Sequence, residues 1–248
     1  MNTRVLLALG GAALLAAAPA RADHKVYSPY VEEGVLELEM RGHRTFDRSA
    51  DKDDQQTHKY ELGYGVTDWW HAAVFGRIDK EPGEDFRYTA TALENIFQLT
   101  EPGQYWADVG LYFEYSKSHI AAEPDELEAK LLLQKDVGPL VLTTNLIFNR
   151  EIGNGAGKGV GFEYAARVNY PWKREVQFAV EAFGEPGRLT GFEATSAQDH
   201  VLGPVLLGKF NVGGIPGVFG YEAGYLFGLT DASARGTFKW LLEWEIPL

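Results

Sequence analysis

Charge is sorted by parity along this chain, and that sorting limits the possible folds more than any other feature. In "YELGYGVTDWWHAAVFGRI" (60–78), Tyr60, Leu62, Tyr64 and Val66 share one parity, while Lys59, Glu61, Gly63 and Gly65 share the other. A period of two puts the two sets on opposite faces of a β-strand. Beyond Thr67-Asp68 the alternation restarts, with Trp70, Ala72, Val74, Gly76 and Ile78 against His71, Ala73, Phe75 and Arg77. The stretch reads as a hairpin.

The same alternation recurs to the end of the chain. It predicts twelve strands, near 35–46, 58–66, 69–79, 86–99, 104–115, 126–135, 140–150, 159–170, 175–184, 200–210, 218–229 and 237–248. Short connections ("TD", "TEPG", "DVGP", "PWKR", "NVGGIPG") alternate with longer polar ones ("DRSADKDDQQT", "KEPGED", "SKSHIAAEPD", "EIGNGAGKG", "EPGRLTGFEATSAQD", "TDASARG"). Tight turns at one end and long loops at the other are the rhythm of a transmembrane β-barrel, and an even strand number returns both termini to the periplasmic side. In "FRYTATALENIFQLT" the parity slips around Ala92–Glu94, so a bulge is expected there.

One parity carries no charge: Leu36, Leu38 and Met40, then Val109, Leu111 and Phe113, then Phe162, Tyr164 and Val168, then Phe219, Tyr221 and Tyr225. The other holds Glu37, Glu39, Arg41, Lys59, Glu61, Arg77, Asp108, Glu114, Lys130, Glu163, Arg167, Glu181, Glu222, Lys239 and Glu243. These fifteen are the candidate lumen-facing residues. A basic side chain on the lipid face near the bilayer midplane costs roughly 2–4 kcal/mol, so segregation is what a membrane imposes.

Parity does not say whether the apolar face meets lipid or a soluble core. Twelve strands enclose more space than the roughly eight-stranded barrel that side chains fill. Trp69, Trp70, Trp106, Trp172 and Trp244 fall at the expected periplasmic ends, where an interfacial aromatic girdle belongs. The last strand alternates Phe238, Trp240, Leu242, Trp244, Ile246 and Leu248, in the manner of a C-terminal signal for the barrel-assembly machinery. The apolar face is therefore read as facing outer-membrane lipids and lipopolysaccharide. Outward glycines such as Gly76 and Gly208 mark either a subunit contact or easier strand curvature.

The start of the chain fits export. "MNTRVLLALGGAALLAAAPARA" has an early Arg4, an apolar run, and small residues at Ala20 and Ala22, the pattern of a cleaved secretory signal over 1–22. A periplasmic N-terminal segment (23–34) and the barrel (35–248) are expected to follow. With no cysteine there is neither a lipidated terminus nor a disulfide framework. The net charge of −12 argues against nucleic acid as a partner.

Motifs for other chemistry are weak. Gly157-Lys158 is followed by Gly159 and a strand, not by the Ser or Thr and the helix of a phosphate loop. His43, His58, His119 and His200 flank the long loops and could gather at the outer mouth as a weak metal site; no pair has i, i+2 spacing. "DRSADKDD" lacks the spacing of an EF-hand. "TSAQDH" offers Ser196, Asp199 and His200 for hydrolysis, but within a loop and without a matching motif on neighbouring strands. No catalytic residue, metal or cofactor is assigned.

The stretches "HKVYSPYVEEGVLELEMRGH", "GYGVTDWW", "ENIFQLTEPGQYWADVGLYFEY" and "YLFGLTDASARGTFKW" resemble a family of proteobacterial outer-membrane β-barrel proteins. More loosely, they are similar to barrel transporters associated with aromatic-compound degradation pathways. The resemblance implies fold and location and transfers no ligand or catalytic motif. The functional expectation is a porin-like channel passing a small solute through a charged, net acidic lumen. The alternatives are a non-conducting structural or metal-binding surface barrel and an outer-membrane lipid hydrolase.

Overall fold

The structure is a computed structural model and describes residues 24–248; the expected signal over 1–22 lies outside the described residues. The strands are β1 (Val35–Phe46), β2 (Gln56–Gly65), β3 (Trp70–Lys80), β4 (Arg87–Gln98), β5 (Asp108–Ser118), β6 (Asp125–Val137) and β7 (Leu140–Ile152), followed by β8 (Gly161–Lys173), β9 (Val176–Arg188), β10 (Gly191–Phe192), β11 (Asp199–Phe210), β12 (Val218–Gly228) and β13 (Gly236–Pro247). Each long strand pairs antiparallel with its neighbours. β13 closes on β1 from Val35↔Pro247 to Phe46↔Gly236. β10 is a two-residue extension paired to β9 within a long loop. The result is a closed antiparallel barrel of twelve long strands plus one short extra strand, and every predicted strand is present.

Three details differ from the sequence reading. β5 begins at Asp108, so Tyr105 and Trp106 belong to a connection (99–107) longer than "TEPG" suggests. Polar side chains hold that connection: the Asp108 carboxylate accepts the Gly103 N–H at 2.7 Å, and Thr100 Oγ1 accepts the Val109 N–H at 2.8 Å. β9 continues past 184 into the following loop, to Arg188. The bulge in β4 lies nearer the outer end than Ala92–Glu94. Arg77 pairs with Ala90 but Ile78 with Tyr88, so Thr89 is the extra residue. Thr89 and Ala90 consequently both turn inward, 6% and 1% exposed. From Ala92 to Gln98 a single parity then holds, with Ala92, Glu94 and Ile96 inside.

The outward face is apolar and exposed, with Leu38, Met40, Leu62, Val74, Phe113, Val168 and Leu242 among its members. Aromatic rings fill gaps left by outward glycines: the ring of Tyr88 lies over Gly76, where an added Cβ would sit 2.9 Å from it. Gly208 is approached by the backbone of Glu175. Trp69, Trp106 and Trp172 are more than half exposed at the end of the barrel that carries the short turns. At the same end Trp70 donates to Asn95 Oδ1 at 3.0 Å, and Trp244 stacks on Phe219 with centroids 5.3 Å apart.

The buried core sits inside the barrel. Val26 packs with Ile147, Ala165, Phe183, Val201 and Leu226; Tyr27 packs with Ile96, Tyr112 and Leu132, and Val31 adds to this second group. Each cluster therefore includes a residue from the segment that precedes β1.

Candidate functional site

The segment before β1 enters the barrel. Sequence reading placed 23–34 on the periplasmic side; the structure seats residues 24–31 in the lumen. The Gly34 N–H donates to the Gly65 carbonyl at 2.9 Å, and the Leu248 N–H donates to the Gly34 carbonyl at 2.8 Å, which ties the segment to the inner end of the wall. From there the chain climbs. The Val31 N–H meets Gln98 Oε1 at 2.9 Å, and the Tyr30 hydroxyl meets Asp108 Oδ2 at 2.6 Å. Pro29 presses on Gly110, where a Cβ would stand 3.0 Å from it. Burial, then the Asp108 carboxylate, pushes the Tyr30 phenol up to about 12.

At mid-height Asn145, wholly buried, brackets Tyr27. Its Oδ1 accepts the Tyr27 N–H at 2.8 Å, and its Nδ2 donates to the Tyr27 carbonyl at 2.9 Å. The side chain thus stands in for a neighbouring strand, which satisfies a buried peptide that no ladder reaches. The Tyr27 hydroxyl donates to Glu94 at 3.2 Å and accepts from Arg41 at 3.1 Å. Lys130 Nζ lies 4.1 Å from the ring centroids of both Tyr27 and Tyr112. Higher still, Lys25 Nζ binds Glu39 at 2.8 Å, and the His24 ring meets His43 at 4.5 Å and Phe183 at 5.1 Å.

The fifteen inward charges divide into groups around this segment. Glu39, Arg41 and Glu61 form one chain of contacts with Lys25; Arg41 reaches Glu61 at 2.6 Å and also binds Glu39. Arg167, Glu181, Glu222 and Lys239 form a second. Arg167 contacts Glu181 at 2.6 Å and Glu222 at 2.5 Å, and Lys239 contacts the same two at 2.7 and 3.1 Å. Lys59 lies over the Phe75 ring at 4.6 Å, and Arg77 pairs with Asp79 at 3.1 Å. Glu114 accepts the Tyr112 hydroxyl at 2.5 Å, Lys130 contacts Glu128 at 3.0 Å, and Glu163 accepts from Asn149. Glu37 and Glu243 face the inner vestibule, and Asp108 is held by Tyr30 and Gly103.

Two vestibules remain on either side of the segment. The outer one, about 660 Å³, is lined by His24, His43, Asp51, Lys52, Lys158 and Arg188 among others. The inner one, about 420 Å³, includes Lys25, Tyr27, Glu37, Glu39, His71 and Glu243. Between them lies a gap of about 20 Å³ that His24 and Lys25 help to line, too small for more than a single water.

The four histidines expected at the outer mouth do not gather. His43 points inward to His24, while His58 packs near Phe86 and Trp240, and His119 against Tyr88. His200 is engaged at Nδ1 by Tyr164 and at Nε2 by Gln198, at 3.1 and 2.7 Å, not by Ser196. His43 shares the inward parity of Arg41 on β1, His58 shares the outward parity of Tyr60 on β2, and His119 lies in the loop after β5. Sequence reading missed Asn145, Glu94, His71 and the whole segment 24–31. The available signal was apolar residues on the charged parity, namely Ile96, Tyr112, Leu132, Ile147, Phe183 and Leu226, which a water-filled lumen has no reason to carry.

No family model matches the chain, and no curated protein matches it by sequence. Solved structures do match its fold. One is the KdgM porin in complex with disordered oligogalacturonate, at 8% identity and a TM-score of 0.51, covering 86% of this chain and 99% of that one. Another is a double variant of OccD1 (OprD), at 14% identity and a TM-score of 0.39, covering 88% of this chain and 66% of that one. The likeness is one of architecture, a closed antiparallel β-barrel.

Proposed function

We propose that the protein is an outer-membrane channel for a small polar solute, closed in this state by its own N-terminal segment. The observation that carries the reading is the pair of vestibules on either side of the level at which His24 to Tyr27 cross the lumen among inward wall side chains. The segment is held by side-chain hydrogen bonds and packing, without a strand ladder, so it can leave without unfolding the barrel. The acidic excess of the inner wall favours cations or neutral solutes over anions, and the charged vestibules suit a polar solute better than an aromatic one. Outer-membrane lipids would cover the outward face. Ion pairing across the lumen favours a second reading, a non-conducting barrel whose interior is simply filled.

Single-channel recording on the refolded protein in planar bilayers separates the two readings. The channel reading expects discrete openings in the wild type that vanish when Val26→Cys and Ala165→Cys, members of one buried cluster, are cross-linked by a thiol-reactive bifunctional reagent with a cleavable disulfide to lock the segment; reduction restores them. The chain has no cysteine of its own to confuse the result. Flat traces from folded wild type and from a folded Asn145→Ala variant would overturn the channel and leave the filled barrel.

A further inference from the structure

The inner vestibule carries more negative charge than its basic residues neutralise. Glu37 and Glu39 on β1 and Glu243 on β13 bring one carboxylate oxygen each to within 4.8 Å of one another. Arg41 and Lys25 serve Glu39, Arg41 serves Glu61, and Lys209 serves Glu245. Glu37 and Glu243 have no lysine or arginine contact among the described residues. The basic group nearest Glu37 in contact terms is an imidazole, His71 on β3, with Nε2 3.6 Å from Glu37 Oε2, while Lys25 acts on Glu37 from beyond contact distance.

His71 is the second, independent sign. It is 9% exposed, and neither ring nitrogen has a hydrogen-bond partner. It reaches the acids from two strands away because the intervening position on β2 is Gly63. A Cβ there would lie 2.6 Å from His71 Nε2. A buried imidazole without a hydrogen bond is costly, and here its ring extends across a glycine toward a set of carboxylates.

We propose that His71, Glu37, Glu39 and Glu243 form a binding site for a divalent first-row transition metal ion, open to the inner vestibule and shared with the lysine of the lumen segment. One imidazole with three carboxylates suits Zn²⁺ or Mn²⁺, whereas all-oxygen sites suit Ca²⁺ and Mg²⁺. Two oxygens bound to one zinc ion stand at most about 4 Å apart, so the three carboxylates close on an ion through side-chain shifts of about 1 Å, and His71, which lies beside Glu37 only, joins them by a larger turn of its ring. Glu39 also holds Lys25. Metal and lysine therefore compete for one carboxylate, and ion binding loosens the top of the segment.

Isothermal titration of Zn²⁺ into the refolded full chain in detergent tests this, with Ca²⁺ as comparison and a heat-modifiable gel shift to certify each barrel. Binding is read without current, so the result is independent of whether the protein conducts. The site expects one saturable Zn²⁺ equivalent and at least tenfold weaker Ca²⁺ binding. His71→Ala, which only vacates space over Gly63, and the isosteric Glu37→Gln should each weaken Zn²⁺ by about tenfold or more, in line with the loss of a ligand or its support. His119→Ala, beside Tyr88 and away from the segment, should change nothing. Lys25→Met should tighten binding several-fold. Absence of saturable binding in folded wild type overturns the site, as does binding that His71→Ala and Glu37→Gln leave intact or that only His119→Ala removes. Unchanged affinity in Lys25→Met overturns the competition.

Discussion

Asn145 on β7 and Tyr27, residues far apart in sequence, are joined by two hydrogen bonds of 2.8 and 2.9 Å between one side-chain amide and one residue's N–H and carbonyl. Both partners are buried, Asn145 completely. Removing the amide leaves a donor and an acceptor unmet, each costing about 1–3 kcal/mol. Asn145→Ala should therefore loosen the segment while sparing the barrel, whose strand pairings do not use this side chain. Hydrogen exchange at the Tyr27 amide should rise by about tenfold or more, with exchange in β1 and β13 unchanged. Equal acceleration everywhere would show that Asn145 supports the barrel instead.

Lys239, 2% exposed, neutralises two acids that lie on β9 and β12. Taking away one member of a buried charge network typically costs about 3–5 kcal/mol, because the remaining charges stay buried without compensation. Lys239→Met should lower barrel stability by that order in denaturant titrations in detergent. Adding Glu222→Gln should recover a good part of the loss by removing one stranded carboxylate, since Arg167 still serves Glu181 at 2.6 Å. A double variant no better than the single one would mean that packing of the lysine stem, and not charge, dominates.

Strand number, order and facing were legible in the sequence because the outward parity follows a simple rule, being largely apolar, and Leu38, Met40 and Leu242 obey it. The inward parity obeys no such rule. Charge there fits a wet pore, a filled barrel or a plugged one, and alternation does not distinguish them. What does is a three-dimensional coincidence: Gly110 under Pro29, Asn145 opposite Tyr27, and Gly63 under His71. Each joins positions from separate strands or from the segment, so none leaves a local spacing. The bulge was misplaced for a related reason. Thr89 is small and polar enough to face either way, so the slip became visible only downstream.

Asp47 joins the first outer loop to the last. Its carboxylate accepts the Ser49 and Arg235 N–H groups, each at 2.8 Å, and these bonds hold it below the usual carboxylate range. A carboxyl depressed in the folded state contributes fully above its unfolded value, about 3.9, and loses that contribution as pH falls through the lower folded value. The loop junction should thus persist at neutral and mildly acidic pH and release only below the ordinary aspartate range. Protection of the Arg235 amide, corrected for intrinsic exchange, should follow that course in wild type and be low at every pH in Asp47→Ala. Protection lost already near pH 5 would contradict the assignment.

Gly63 and Gly65, neighbours on the inward face of β2, should respond differently to the same change. A methyl group at Gly65 would stand 1.9 Å from the Glu32 carbonyl oxygen, which is backbone and has nowhere to go while Gly34 remains bonded to Gly65 at 2.9 Å. Gly65→Ala should therefore push the segment away from the wall and expose Lys25, now half-buried against Glu39. A methyl group at Gly63 clashes with the tip of His71, a side chain that can swing aside, and otherwise touches the Ala73 methyl at 3.4 Å. Gly63→Ala should leave the segment seated and remove the imidazole from Glu37. Trypsin cleavage after Lys25, read by mass spectrometry, should become rapid in Gly65→Ala and stay slow in Gly63→Ala. Zn²⁺ affinity should fall in Gly63→Ala even with the segment in place. If the two variants release the segment equally, its seat depends on the general fit of the inner wall and not on the contact between Glu32 and Gly65.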